Sequence, residues 1–140
     1  MRLTLAFGLV ATLAMLMGSS VIQAQTAPTQ TCSARTLHGT YVFRSHGTFP
    51  DSSPAVFVGT QTFDGVGLVQ LSNTGSIGGF IIKDSGTATY TVNSDCTGTL
   101  TVVFPQMTIN WDIFIADNAK KILAVIANPG FVFSAEYTKQ

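Results

Sequence analysis

Apolar and polar residues alternate with a period of two along most of the chain from His38 onward. In the first run, His38 to Phe49, one face carries Tyr41, Phe43 and Ser45 and the other carries Val42, Arg44 and His46. In Thr108 to Ala116, Ile109, Trp111, Ile113 and Ile115 share a face opposite Asn110, Asp112, Phe114 and Ala116. That period is the β-strand's, whose side chains point alternately to the two faces of a sheet. The clearest pair of strands lies between Gly86 and Phe104. There Thr87, Thr89 and Thr91 alternate with Ala88, Tyr90 and Val92, and Thr97, Thr99 and Thr101 with Gly98, Leu100 and Val102. Asn93-Ser94-Asp95 joins them as a turn, because such side chains bond their own backbone and tolerate left-handed geometry. Cys96 ends that turn.

Further strand-like runs are Ala55 to Phe63, Gly67 to Ser72, Ile77 to Lys83, Lys121 to Ala127 and Phe131 to Thr138. Turn-forming residues separate them: Pro50 to Pro54, Asp64-Gly65-Val66-Gly67, Asn73-Thr74-Gly75-Ser76, Asp84-Ser85-Gly86, Pro105-Gln106, Asp117 to Lys120 and Asn128-Pro129-Gly130. No stretch beyond residue 24 has a convincing helical period; Ala116 to Ala127 is the best rival. Eight or nine short strands joined by tight turns predict an all-β antiparallel fold, a sandwich or an up-and-down barrel with one disulfide. The lack of long crossovers favours the barrel, and closure also removes exposed strand edges. One point stays open. In a strict meander Cys32 precedes the first strand and the Cys96 turn follows the fifth, which puts them at opposite ends. Either Cys32 to Leu37 runs along the barrel, which about six extended residues can do, or one strand is miscounted.

The first residues have another character. Arg2 precedes an apolar run from Leu3 to Met17, then Gly18-Ser19-Ser20 and Val21-Ile22-Gln23-Ala24. This is the layout of a secretory signal peptide cleaved after Ala24, and the run is short for a membrane anchor. The expected organisation is a signal peptide over 1–24, an N-terminal tail and cystine segment over 25–37, and a β-barrel domain over 38–140. A secreted or periplasmic address follows. The mean hydropathy of +0.36 is raised by the leader. Two cysteines in an exported chain most often pair, which predicts a Cys32–Cys96 disulfide.

Of the 140 residues only 10% are charged, and the formal net charge is zero. The cations are scattered, so no basic stripe exists to neutralise a phosphate backbone, and nucleic acid is a poor partner. Beyond the leader no long apolar run supports stable membrane insertion. His38 and His46, the only histidines, have no cysteine or carboxylate at ligand spacing, so no metal site is expected. There is no Gly-x-Ser-x-Gly elbow and no phosphate-binding glycine loop leading into a helix, and no cofactor is implied.

The segment Cys32-x-x-x-x-Leu37-x-Gly39-x-Tyr41-x-Phe43 resembles the start of calycin-type barrels, in which a Gly-x-aromatic on the first strand packs across a closed end. Phe63-Asp64-Gly65-x-Gly67 and the stretch from Gly86 to Thr99, through Tyr90, Asp95 and Cys96, resemble small secreted bacterial proteins of the allene-oxide-cyclase-like and dirigent-like barrel kind. The resemblance covers most of the chain beyond residue 24 in layout and rests on turn and cystine residues. It implies a barrel and brings no catalytic residue. Avidins and lipocalins are poorer matches, since Trp111 is the only tryptophan.

Polar residues inside apolar strands are the candidate chemistry: Arg44, His46, Asp112 and Glu136. Either they point to water from the solvated face, or some line the lumen with Tyr41, Tyr90 or Tyr137. In the second case Arg44 would pair with Asp112 or Glu136, because a lone buried charge is costly. The candidate ligand-binding set is Tyr41, Arg44, Tyr90, Trp111, Asp112 and Glu136, with no catalytic residue assigned. Three functions fit, in this order: non-enzymatic binding of a small apolar ligand, a structural or interaction module of the cell envelope with a filled core, and an allene-oxide-cyclase-like isomerase or cyclase. A hollow or a packed lumen separates them.

Overall fold

A computed structural model describes residues 30–140. The leader and most of the tail lie outside these residues. Eight antiparallel strands form a closed barrel in sequence order, the last pairing with the first. They are β1 His38–Thr48, β2 Pro54–Asp64, β3 Leu68–Ile77, β4 Phe80–Val92, β5 Thr97–Val103, β6 Thr108–Ala116, β7 Lys121–Ile126 and β8 Val132–Lys139. The all-β antiparallel up-and-down barrel with one disulfide is therefore the architecture, with eight strands rather than nine.

The difference lies in one hairpin. Asn73 to Ser76 and Asp84 to Gly86 are not turns but the interiors of β3 and β4, where Asn73 faces Asp84 and Leu71 faces Gly86. The true turn is Gly78-Gly79, with φ of 54° and 94°. Paired positive φ angles are what a two-residue hairpin requires, and glycine adopts them without steric cost. Four strands, rather than five, between Cys32 and Cys96 also settle the cystine. Cys32 and the β4–β5 turn share one end of the barrel, and the Cys32–Cys96 bond spans a Cα–Cα distance of 4.9 Å.

That end is the floor. A single 3-10 turn, Ala34–Thr36, folds across it and drives Leu37 to full burial. Phe63 is the hub beneath it, edge-on to Tyr41 at 5.3 Å and to Tyr90 at 5.1 Å. Both phenols are satisfied by backbone: Tyr41 donates to the Ala119 carbonyl at 2.6 Å, and Tyr90 donates to the carbonyls of Ala34 and Leu37 at 3.0 Å. The Ala119 carbonyl belongs to a left-handed turn in which Asp117, Asn118 and Ala119 have φ of 51°, 51° and 63°. Consecutive residues with a Cβ resist that conformation, so the buried bond from Tyr41 fixes a strained link between β6 and β7. At the next turn Asp64 accepts from the amides of Val66, Gly67 and Leu68, which hold its carboxyl below the usual range. Among the described residues no helix is long and apolar enough to cross a membrane.

Burial lifts the pKa of Tyr41, Tyr90 and Tyr137, the only tyrosines in the chain, and lifts Tyr137 furthest. A phenol with a raised folded-state pKa contributes stability that is complete below the unfolded value, about 10, and is lost as pH rises through and beyond it. A spectrophotometric titration is therefore expected to show little phenolate while the barrel holds, then a steep cooperative rise as it unfolds. Ordinary, independent titration of all three near the free-tyrosine value would contradict the buried placement.

Candidate functional site

The other end is open. Above the floor the inward positions leave a cavity of about 430 Å³. Its mouth is an aromatic collar contributed by strands and loops: Phe49, Phe57, Phe104, Trp111, Phe131 and Phe133. Phe133 is the hub of this end, with Phe49, Phe57 and Trp111 at ring-centroid distances of 5.3, 6.2 and 6.4 Å. Gly75 makes room for this arrangement. It stands opposite Phe57 across β2–β3, and a Cβ there would collide with the Phe57 ring.

Between collar and floor lies a polar band on one wall. It consists of Ser45 on β1, Gln61 on β2, Asn73 on β3, Asp84 on β4 and Tyr137 on β8. On β2 the order from floor to mouth is Phe63, Gln61, Gly59, Phe57, so the amide sits between the two aromatic hubs. The wall from β5 to β7 is apolar at the same level, with Val102, Ile109 and Ile126. Gln61 is 5% exposed, and neither its Oε1 nor the Oδ1 of Asn73 has a hydrogen-bond partner. Buried polar atoms without partners are uncommon, since each forfeits its hydration. Here both belong to residues that line a hollow.

The barrel wall has a seam beside this band. Pairing of β4 with β5 begins at Ala88, so Phe80 to Thr87 pair with β3 on one side only. Ile82 and Asp84 face the cavity from one lip of that seam, and Phe104 to Met107 face it from the other.

The sequence candidates separate cleanly in space. Trp111 lines the cavity. Tyr41 and Tyr90 point inward but belong to the floor, where their hydroxyls bond backbone. Arg44 and Glu136 do pair, at 2.8 Å, but on the outer wall, where Lys121 approaches the same carboxylate at 3.8 Å. The Arg44 guanidinium holds the Glu136 carboxyl below its usual range. Asp112 and His46 also face outward and are exposed. The solvated placement thus holds for these four, since inward positions on their strands are taken by their neighbours in the period-two pattern. The band of Ser45, Gln61, Asn73 and Asp84 was not singled out from sequence, because two of its members sit in segments that read as turns.

The chain is similar to the S-type phycobiliprotein lyase CPES from Guillardia theta, at 9% identity and a TM-score of 0.48, over 76% of this chain and 90% of that one. No family model matches the chain, and no curated protein matches it.

Proposed function

We propose that this protein is a small-molecule-binding barrel whose ligand, largely apolar, is held in the open half of the lumen. The cavity of about 430 Å³ behind the aromatic collar carries this reading. Eight-stranded barrels have an interior that is either filled by side chains or holds one small ligand. This one does both, filled at the floor and hollow at the mouth. An envelope module with a filled core gives no account of that hollow. The leader pattern and the Cys32–Cys96 bond support a secreted or periplasmic address, where a disulfide persists. Binding rather than catalysis fits the lumen, which offers an aromatic enclosure and a few polar atoms.

Trp111, the only tryptophan, lines the cavity and reports on it. Titration with the uncharged dye N-phenyl-1-naphthylamine is expected to quench Trp111 emission and raise dye emission with saturable one-to-one stoichiometry. Ala135→Phe, which places a ring in the lumen, is expected to weaken that binding about tenfold or more, because the ring occupies the dye's space. Absence of saturable quenching in the unsubstituted protein would overturn the reading.

A further inference from the structure

Beyond the binding reading, we infer that the protein docks mouth-first on an uncharged or zwitterionic lipid surface, with Phe80, Val132 and the neighbouring loop tips seated in the lipid and the cavity opening into it. Charge divides the two ends of the barrel. The four connections at the mouth, 49–53, 78–79, 104–107 and 127–131, hold one charged side chain, Asp51, and no lysine, arginine or histidine. Asp64, Asp95, Asp117, Lys120, Lys121 and Lys139 all stand at the floor end. Apolar exposure runs the other way. Phe80 is 79% exposed and Val132 69%, and Ile81 and Val103 are exposed with them. Phe80 and Ile81 begin β4, Val103 ends β5 and Val132 begins β8, so all four stand at the mouth. At the floor, among the described residues, the one large apolar side chain as open is Val66, at 77%, beside the charged Asp64.

The charge pattern selects the partner. A surface that binds anionic lipid gathers lysines and arginines beside it. The charges nearest this opening are two acids and one cation, Asp51, Asp84 and Lys83, so attraction to an anionic membrane is absent. What the mouth offers is apolar area, which gains free energy on leaving water whatever the head group. The geometry favours a fluid phase over a second copy of the chain. The exposed side chains come from separate strands and loops placed around an opening, and a rigid copy would touch the tips and leave the hollow between them unfilled. Stable protein interfaces are continuous and closely packed at their centre. Lipid closes around separate tips. The aromatic rings and prolines of the mouth loops, Phe49, Pro50, Phe104, Pro105 and Phe131, continue the same surface inward to the cavity that they line or border.

The test is flotation of the full folded protein with phosphatidylcholine vesicles, read as bound fraction against lipid concentration. The unsubstituted protein is expected to float with the vesicles. The double variant Phe80→Ser with Val132→Ser is expected to bind about tenfold or more weakly, because two apolar side chains no longer leave water on docking. Val66→Ser, which removes an equally open valine from the floor, is expected to leave vesicle binding within about twofold. Phe80, Val132 and Val66 do not line the cavity, so both variants are expected to keep the parent's circular dichroism and its affinity for N-phenyl-1-naphthylamine without vesicles. Phosphatidylglycerol vesicles are expected to bind no more tightly at low salt. Dye binding without flotation of the parent would overturn the docking and leave the cavity reading standing; flotation without dye binding would do the reverse. Equal losses in Val66→Ser and the mouth variant would overturn the mouth-first orientation. Tighter binding to phosphatidylglycerol that salt abolishes would overturn the choice of a neutral surface. A dimer in sedimentation equilibrium that the mouth variant dissociates, with no flotation, would assign this face to a second copy and overturn the lipid assignment.

Discussion

Phe63→Ala is expected to destabilise the barrel by about 3–5 kcal/mol, the usual loss for truncating a buried aromatic ring. Phe63 is 2% exposed and is the one ring in edge contact with both Tyr41 and Tyr90. Deleting it opens a void under Leu37 and unseats both phenols, whose hydroxyls tie the floor to Ala34, Leu37 and Ala119. Those ties converge from three parts of the chain, so the site has little freedom to collapse around the void. Guanidinium unfolding followed by far-ultraviolet circular dichroism measures the change. Phe63 does not line the cavity, so dye affinity of the folded fraction is expected to stay within about twofold, far less than the change of a lost pocket contact. A small loss of stability with a large loss of binding would reverse the assignment of floor and site.

The double substitution Cys32→Ser with Cys96→Ser is expected to lower stability by about 4 kcal/mol, the chain-entropy value for a loop of this length. The bonded residues are 64 apart in sequence. The bond ties the residues ahead of β1 to the β4–β5 turn, which is also held by Cys32 N donating to the Ser94 carbonyl and Ile115 N donating to the Cys96 carbonyl. The native contacts thus pre-form the junction, and most of the effect falls on the denatured chain. For a domain whose net stability is about 5–15 kcal/mol in all, that loss is severe. The readout is the denaturant midpoint of the double variant beside the oxidised parent. A change below about 1 kcal/mol would show that the denatured ensemble is already restrained without the bond.

Most of the barrel is legible from period-two patterning. The inward faces of β1 and β6, with Tyr41, Phe43 and Ser45 and with Ile109, Trp111, Ile113 and Ile115, can be read directly because strand alternation is strict. The pairing of the two cysteines follows from their number and setting. The β3–β4 hairpin is not legible, and the reason is physical. Asn73, Gly75, Asp84 and Gly86 have turn chemistry, yet they sit mid-strand. Asn73 and Asp84 are there to put polar atoms into the lumen, and Gly75 is there to admit the Phe57 ring. Local propensity disagrees with the fold where the wall serves the cavity, which is where such conflict is expected. The miscounted strand and the overlooked polar band therefore have one origin. A signal was available: with Asn73 and Asp84 on strands, Ser45, Gln61, Asn73 and Asp84 all fall on the same side of the alternation as the core.

The parity of the strand count has a practical corollary. An even meander returns the polypeptide to its starting side, and the amide of Gln140 closes onto the carbonyl of Thr40 at 3.0 Å. Whatever precedes Gln30 or follows Gln140 is attached at the sealed base. A linker or fusion partner joined after Gln140 starts on the side opposite the collar, and the protein can be immobilised there with its entrance facing the solution.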